Sequence, residues 1–179
     1  MKPLALLNTN DLQELHQKPK DYVLNAHAPC LDKTAQHYIA ASSMLLIASI
    51  NQDGDIDISP RGGAPGFVTV LDKHHIAFVS EMGNNKLLTL SNVQENSRLG
   101  LMFIVPGVTD ILRLYGHATV THDEQFILSL GGNLKRNKTA VRIEISKVFP
   151  QCSSALNRAG FLKKEMWPDK DKYKIPNLK

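Results

Sequence analysis

Residues 44–61 read MLLIASINQDGDIDISPR. Met44 to Ile50 is a continuous apolar run, and Asn51-Gln52-Asp53-Gly54 behind it is a hairpin turn signal. The second arm alternates: Ile56 and Ile58 point one way, while Asp55, Asp57, Ser59 and Arg61 point the other. An apolar run and a period-two run around a tight turn form an antiparallel hairpin.

Downstream the same grammar repeats. Arg61-Gly62-Gly63-Ala64-Pro65-Gly66 is a flexible loop, followed by a strand from Phe67 to Leu71. A turn at Asp72-Lys73-His74 leads to a fourth strand, His75 to Ser80. A helix is expected from about Asn84 to Asn96, with Leu87, Leu88, Leu90 and Val93 as its buried stripe. Strands follow at Arg98 to Val105, stopped by Pro106-Gly107, and at Ile111 to Thr121. In the latter, Arg113, Tyr115, His117 and Thr119 share a face opposite Leu112, Leu114, Ala118 and Val120. A short helix, Asp123 to Leu130, ends at Gly131-Gly132. A last strand, Ala140 to Val148, precedes a helical turn or two between Cys152 and Gly160. Six or seven short strands with one good helix argue for a mainly β chain, a β-barrel with peripheral helices. The single strand-helix-strand passage is not the repeated alternation of a doubly wound fold.

Upstream, Asn10 or Asp11 caps a short helix through His16, ended by Lys18-Pro19. Asp32 caps a second helix with Leu31, Ala35, Tyr38 and Ile39 on one side. Residues 1–42 thus form a helical or irregular lead packing on the barrel, 43–162 the barrel, and 163–179 a basic tail.

The chain has 179 residues, 42% hydrophobic and 21% charged, which suits a globular domain large enough to bury a core. No apolar run approaches the roughly 20 residues of a membrane helix. Residues 1–10 lack the pattern of a secretory signal, so a cytoplasmic location and no membrane partner are expected. Much of the net charge of +4 comes from residues 163–179, with six lysines against three acids. That reads as a solvated tail rather than a nucleic-acid patch. Cys30 and Cys152 sit in no disulfide-framework or zinc spacing, and no metal site is expected.

Two segments could carry chemistry. Gly83-Asn84-Asn85-Lys86 stands where a helix should begin, offering N–H groups, amides and an ammonium to an anion such as a phosphate. The same residues equally describe a plain Asn-capped helix with a solvent-facing lysine. Asp57, Ser59 and Arg61 share a strand face before a glycine-rich loop, and arginine presents a planar fork to phosphate. An Asp57–Arg61 interaction on an outward polar face is the other reading. The face of Arg113, Tyr115 and His117 suits a cofactor cleft, a subunit interface or water. Nucleotide-binding glycine motifs, His-Glu-x-x-His and Gly-x-Ser-x-Gly are absent, and no nucleophile–base pair emerges from spacing. The catalytic residues are unknown on this reading, and a bound cofactor would do the difficult step.

Ser59-Pro60-Arg61-Gly62, Pro65-Gly66-Phe67-Val68, Gly83-Asn84-Asn85-Lys86-Leu87, Val105-Pro106-Gly107 and Leu112-Arg113-Leu114-Tyr115-Gly116 occur in that order. In order and spacing they resemble the pyridoxamine 5′-phosphate oxidase-like flavoproteins, from about residue 22 to residue 162. The resemblance implies an FMN-binding split β-barrel, a homodimer with FMN at the subunit interface, and a small-molecule substrate or electron donor. It implies Ser59, Arg61, Ser80, Asn84, Asn85, Lys86 and Arg113 as cofactor-binding residues. Where the oxidases carry a Ser-Arg-Lys triplet, this chain has Asn84, Asn85 and Lys86. The C-terminal aromatic and arginine residues used for vitamin B6 have no counterpart, and Cys152 is followed by Ser153 and Ser154. The resemblance therefore carries FMN and oxidoreductase chemistry but no substrate. A flavin- or haem-binding storage or sensor barrel, and a deazaflavin-dependent reductase, are the alternatives.

Overall fold

The computed structural model describes residues 6–16, 18–81 and 86–169. The lead begins with α1 (Thr9–Leu15), whose cap is Asn8 rather than Asn10 or Asp11. Asn8 Oδ1 accepts from the N–H groups of Asn10 and Asp11, and the Asp11 carboxylate accepts in return from the Asn8 N–H. This reciprocal box needs an acceptor three residues inside the helix, which Asp11 supplies to Asn8. A single turn, α2 (Asp21–Leu24), precedes α3 (Lys33–Ala41). Asp32 caps α3, accepting from the Ala35 N–H at 2.7 Å. Leu31, Ala35 and Ile39 are buried in the main core, as their spacing requires.

Seven strands follow: β1 (Met44–Ile50), β2 (Ile56–Gly62), β3 (Val68–Val70), β4 (His75–Val79), β5 (Arg98–Ile104), β6 (Ile111–Thr121) and β7 (Ala140–Gln151). They form one antiparallel sheet in the order β2-β1-β5-β6-β7-β4-β3. Leu45 and Ile47 on β1 stand opposite Phe103 and Leu101 on β5, which stand opposite Leu112 and Leu114 on β6. All six are buried and make the inner face.

The same register turns Arg61 and Ser59 inward, opposite Leu45 and Ile47, and leaves the isoleucines of β2 outside. Ile56 and Ile58 are 70% and 67% exposed. Polar-in and apolar-out reverses the usual arrangement of a half-buried strand. Residues of β2, at one edge of the sheet, and of β4, next to the other edge, line one cavity, so the sheet curls into a half-barrel.

The main helix differs from expectation. α4 spans Leu88–Glu95, and Leu87 before it adopts a left-handed conformation with φ 56°. The helix is thereby phased so that Thr89, Asn92 and Val93 are buried, while Leu87 and Leu88 are exposed. Asn92 is held by a buried bond from its Nδ2 to the Ser49 hydroxyl at 3.0 Å. β7 runs to Gln151, past the expected end at Val148, because β6 pairs with it along its full length. A register shift at Tyr115/Gly116 accommodates the mismatch, and a Cβ on Gly116 would lie 2.3 Å from the Glu144 carbonyl oxygen. The helices α5 (Glu124–Ser129), capped by Asp123, and α6 (Ser154–Arg158) are peripheral. Among the described residues no helix is long and apolar enough to cross a membrane.

Candidate functional site

At the seam where β2 faces the end of β4, under α4, lies a cavity of about 490 Å³. Its polar wall is Asp57, Ser59 and Arg61 from β2, with Ser80, Glu81 and Lys86 from the segment leading to α4. Its apolar wall includes Phe67, Phe78, Leu88 and Leu90. Alternation along β2 aims three polar side chains at one space, and the curl of the sheet brings Ser80 across to them.

Arg61 is held from three sides. Its Nη1 donates to the Ser59 hydroxyl at 2.6 Å and to the Pro60 carbonyl at 2.8 Å. Its Nη2 donates to the Thr89 hydroxyl at 3.1 Å, and Thr89 in turn donates to the Asp57 carboxylate at 3.3 Å. Burial lowers the guanidinium's pKa, and the charge of Asp57 acts against that shift. The group nonetheless stays cationic, as arginine does in proteins. Of its five N–H bonds the Nε–H and one on Nη2 find no acceptor among the described residues. Ser80 is fixed by its backbone, its N–H bonded to the Thr139 carbonyl and its carbonyl to the Asn137 amide.

Ser59, Arg61, Ser80 and Lys86 therefore meet at one cavity. Asn84 and Asn85 lie outside the described residues. Lys86 stands two residues ahead of α4 rather than in its first turn, because the helix begins only after the left-handed Leu87. Arg113 is elsewhere. It lies on the outer face of β6, across from Met102 and Phe149, with its guanidinium 5.5 Å from the Phe149 ring centroid. Its buried Nε has no hydrogen-bond partner among the described residues. Within one chain the sheet separates Arg113 from Arg61, since the alternation that turns Arg113 to the outer face buries Leu112 and Leu114 on the inner one. Thr89 is legible only in the structure: a threonine inside a helix carries no sequence signature of the arginine it orients.

The donor set fits a phosphate. A half-buried guanidinium fork, an ammonium and two hydroxyls line the same cavity, and the apolar residues beside them suit a planar organic body. The carboxylates of Asp57 and Glu81 add acceptors for hydroxyl groups on such a ligand.

The family model described as pyridoxamine 5′-phosphate oxidase matches residues 31–152. No curated protein matches the chain by sequence. Among solved structures, HupZ of Group A Streptococcus is similar at 14% identity and a TM-score of 0.54, over 67% of this chain and 93% of that one. A Lactobacillus delbrueckii protein assigned to the pyridoxamine 5′-phosphate oxidases is similar at 22% identity and a TM-score of 0.53, over 68% and 95%. The conserved Mycobacterium tuberculosis protein Rv2991 is similar at 15% identity and a TM-score of 0.50, over 73% and 91%. At such identities these likenesses speak for the fold alone.

Proposed function

The chain belongs to the pyridoxamine 5′-phosphate oxidase family, and from that premise we propose that it is an FMN-dependent oxidoreductase acting on a small molecule. The observation that carries the proposal is the bonded series Asp57–Thr89–Arg61–Ser59, which fixes a guanidinium in a cavity also lined by Lys86 and Ser80. In this reading Arg61 and Lys86 bind the FMN phosphate through charge-assisted hydrogen bonds, and Ser59 and Ser80 add hydroxyl contacts. Asn84 and Asn85 would complete the cradle. Bound FMN supplies the reversible uptake of electrons that no side chain here can provide. Phe67, Phe78 and Leu90 exclude water from one wall, which strengthens the charged contacts.

The functional unit in this reading is a homodimer with FMN at the subunit interface. Ile56, Ile58, Met44 and Tyr115 all lie exposed on the outer face of β2, β1 and β6, which supports its burial against a second copy. Arg113 on that same face would then serve the flavin of the partner subunit rather than its own. Two unpaired thiols agree with a cytoplasmic location.

Anaerobic mixing of the FMN-loaded protein with NADH or NADPH tests turnover. An oxidoreductase loses its flavin absorbance within the mixing experiment, whereas a flavin that stays oxidised marks a carrier.

A further inference from the structure

Another cavity, of about 430 Å³, shares no lining residue with the seam. Three chain segments enclose it. Residues 27–30 are strapped to β7 by a pair of backbone bonds, Ala28 N–H to Val148 carbonyl at 3.0 Å and Val148 N–H to Ala28 carbonyl at 2.8 Å. The first turns of α3 form a second side. The turn between β5 and β6 forms the third, tied to α3 by a bond from the Tyr38 hydroxyl to the Asp110 carbonyl. A pocket closed by such cross-links is largely pre-formed, as small-molecule sites are.

Its chemistry differs in sign from that of the seam. Leu112, Val148 and Ala35 make the floor apolar, and all three are buried. Asp32 and Asp110, both exposed, line it together with His27, and among the described residues no lysine or arginine does. Asp32 spends one oxygen on the cap of α3 and keeps the other. Tyr38, which also lines the cavity, presents an aromatic surface. Its hydroxyl is made harder to ionise by burial first and by the negative charge of Asp110 as well.

We propose that this cavity binds a small organic monocation, an amine with an apolar body, between Tyr38 and the Asp32 and Asp110 carboxylates. The ammonium answers the carboxylates and the tyrosine face, and the body fills the apolar floor. An anion would meet two aspartates there and, among the described residues, neither lysine nor arginine.

Cys30 lines the same cavity, half-buried and unpaired, and reports occupancy. In a Cys152→Ser variant, which leaves Cys30 as the only thiol, alkylation by iodoacetamide is followed with phenethylamine or with its uncharged analogue 2-phenylethanol. The proposal expects phenethylamine at millimolar concentration to slow alkylation and the alcohol to do so far more weakly. It expects Asp110→Asn to raise the half-protecting amine concentration by about two- to fivefold, the scale of one solvent-exposed charge pair. This variant keeps the backbone carbonyl that holds Tyr38, and circular dichroism reports its fold. Equal protection by amine and alcohol, no protection by the amine, or indifference to Asp110→Asn overturns it.

Discussion

Thr89 and Arg61 are bonded side chain to side chain, Nη2 to Oγ1 at 3.1 Å, from positions 28 residues apart. The contact lets α4 set the direction of an arginine that belongs to β2. Thr89 is 5% exposed, so little water reaches its side of this bond.

Thr89→Val keeps the shape and removes the hydroxyl. Its expected effect is a loss of FMN affinity of about tenfold, the scale of one buried hydrogen bond to a charged group. Thr89→Ser should restore the affinity. Flavin fluorescence titration measures both. A fall in melting temperature with unchanged affinity would make Thr89 a packing residue only.

The buried pair Asn92–Ser49 anchors α4 to β1. Asn92→Ala leaves the Ser49 hydroxyl buried without its partner, which should cost about 1–3 kcal/mol in urea unfolding. Ser49→Ala in the same background should recover part of that loss, because it removes the orphaned group.

Gly116 sits at the irregularity between β6 and β7. A Cβ there would lie 2.3 Å from the Glu144 carbonyl oxygen, a backbone atom that cannot rotate away. Gly116→Ala should destabilise the domain by about 3 kcal/mol or more, as overpacking against backbone does. A thermal midpoint equal to wild type would show that the strands separate there freely.

Cys152 offers a test by pH. The Ser154 side chain, with Sγ 3.5 Å from Oγ, draws the thiol pKa below its ordinary value, helped by the Ser154 backbone, Gln151 and the charge of Arg158. These contacts favour the thiolate, so alkylation should rise with pH at a lower midpoint than for free cysteine. In a Cys30→Ser background, Ser154→Ala should move that midpoint upward.

Local pattern made much of this architecture legible. β1 and β6 begin and end where their apolar runs and alternation say, at Met44–Ile50 and Ile111–Thr121. Asp32 caps α3 because its carboxylate accepts the Ala35 N–H, which the first turn leaves without an intrahelical partner. The start of α4 was not legible, since nothing about a leucine signals the left-handed turn at Leu87. Ser59 and Ser80 meet only because the sheet curls, a non-local event that spacing along the chain does not encode. The alternation of β6 did place Arg113 opposite Leu112 and Leu114. Its assignment to the flavin rested on resemblance, and within one chain it lies behind the sheet from Arg61.

The central claim is that Arg61 and Lys86 hold FMN at the seam. It is tested most directly by incubating the protein with FMN, removing unbound flavin by gel filtration, and recording the visible spectrum beside that of the Arg61→Ala/Lys86→Ala variant. A two-band flavin spectrum is expected for the wild type and little retained flavin for the variant, with matching circular dichroism. Flavin retained equally by both proteins, or by neither, would contradict it.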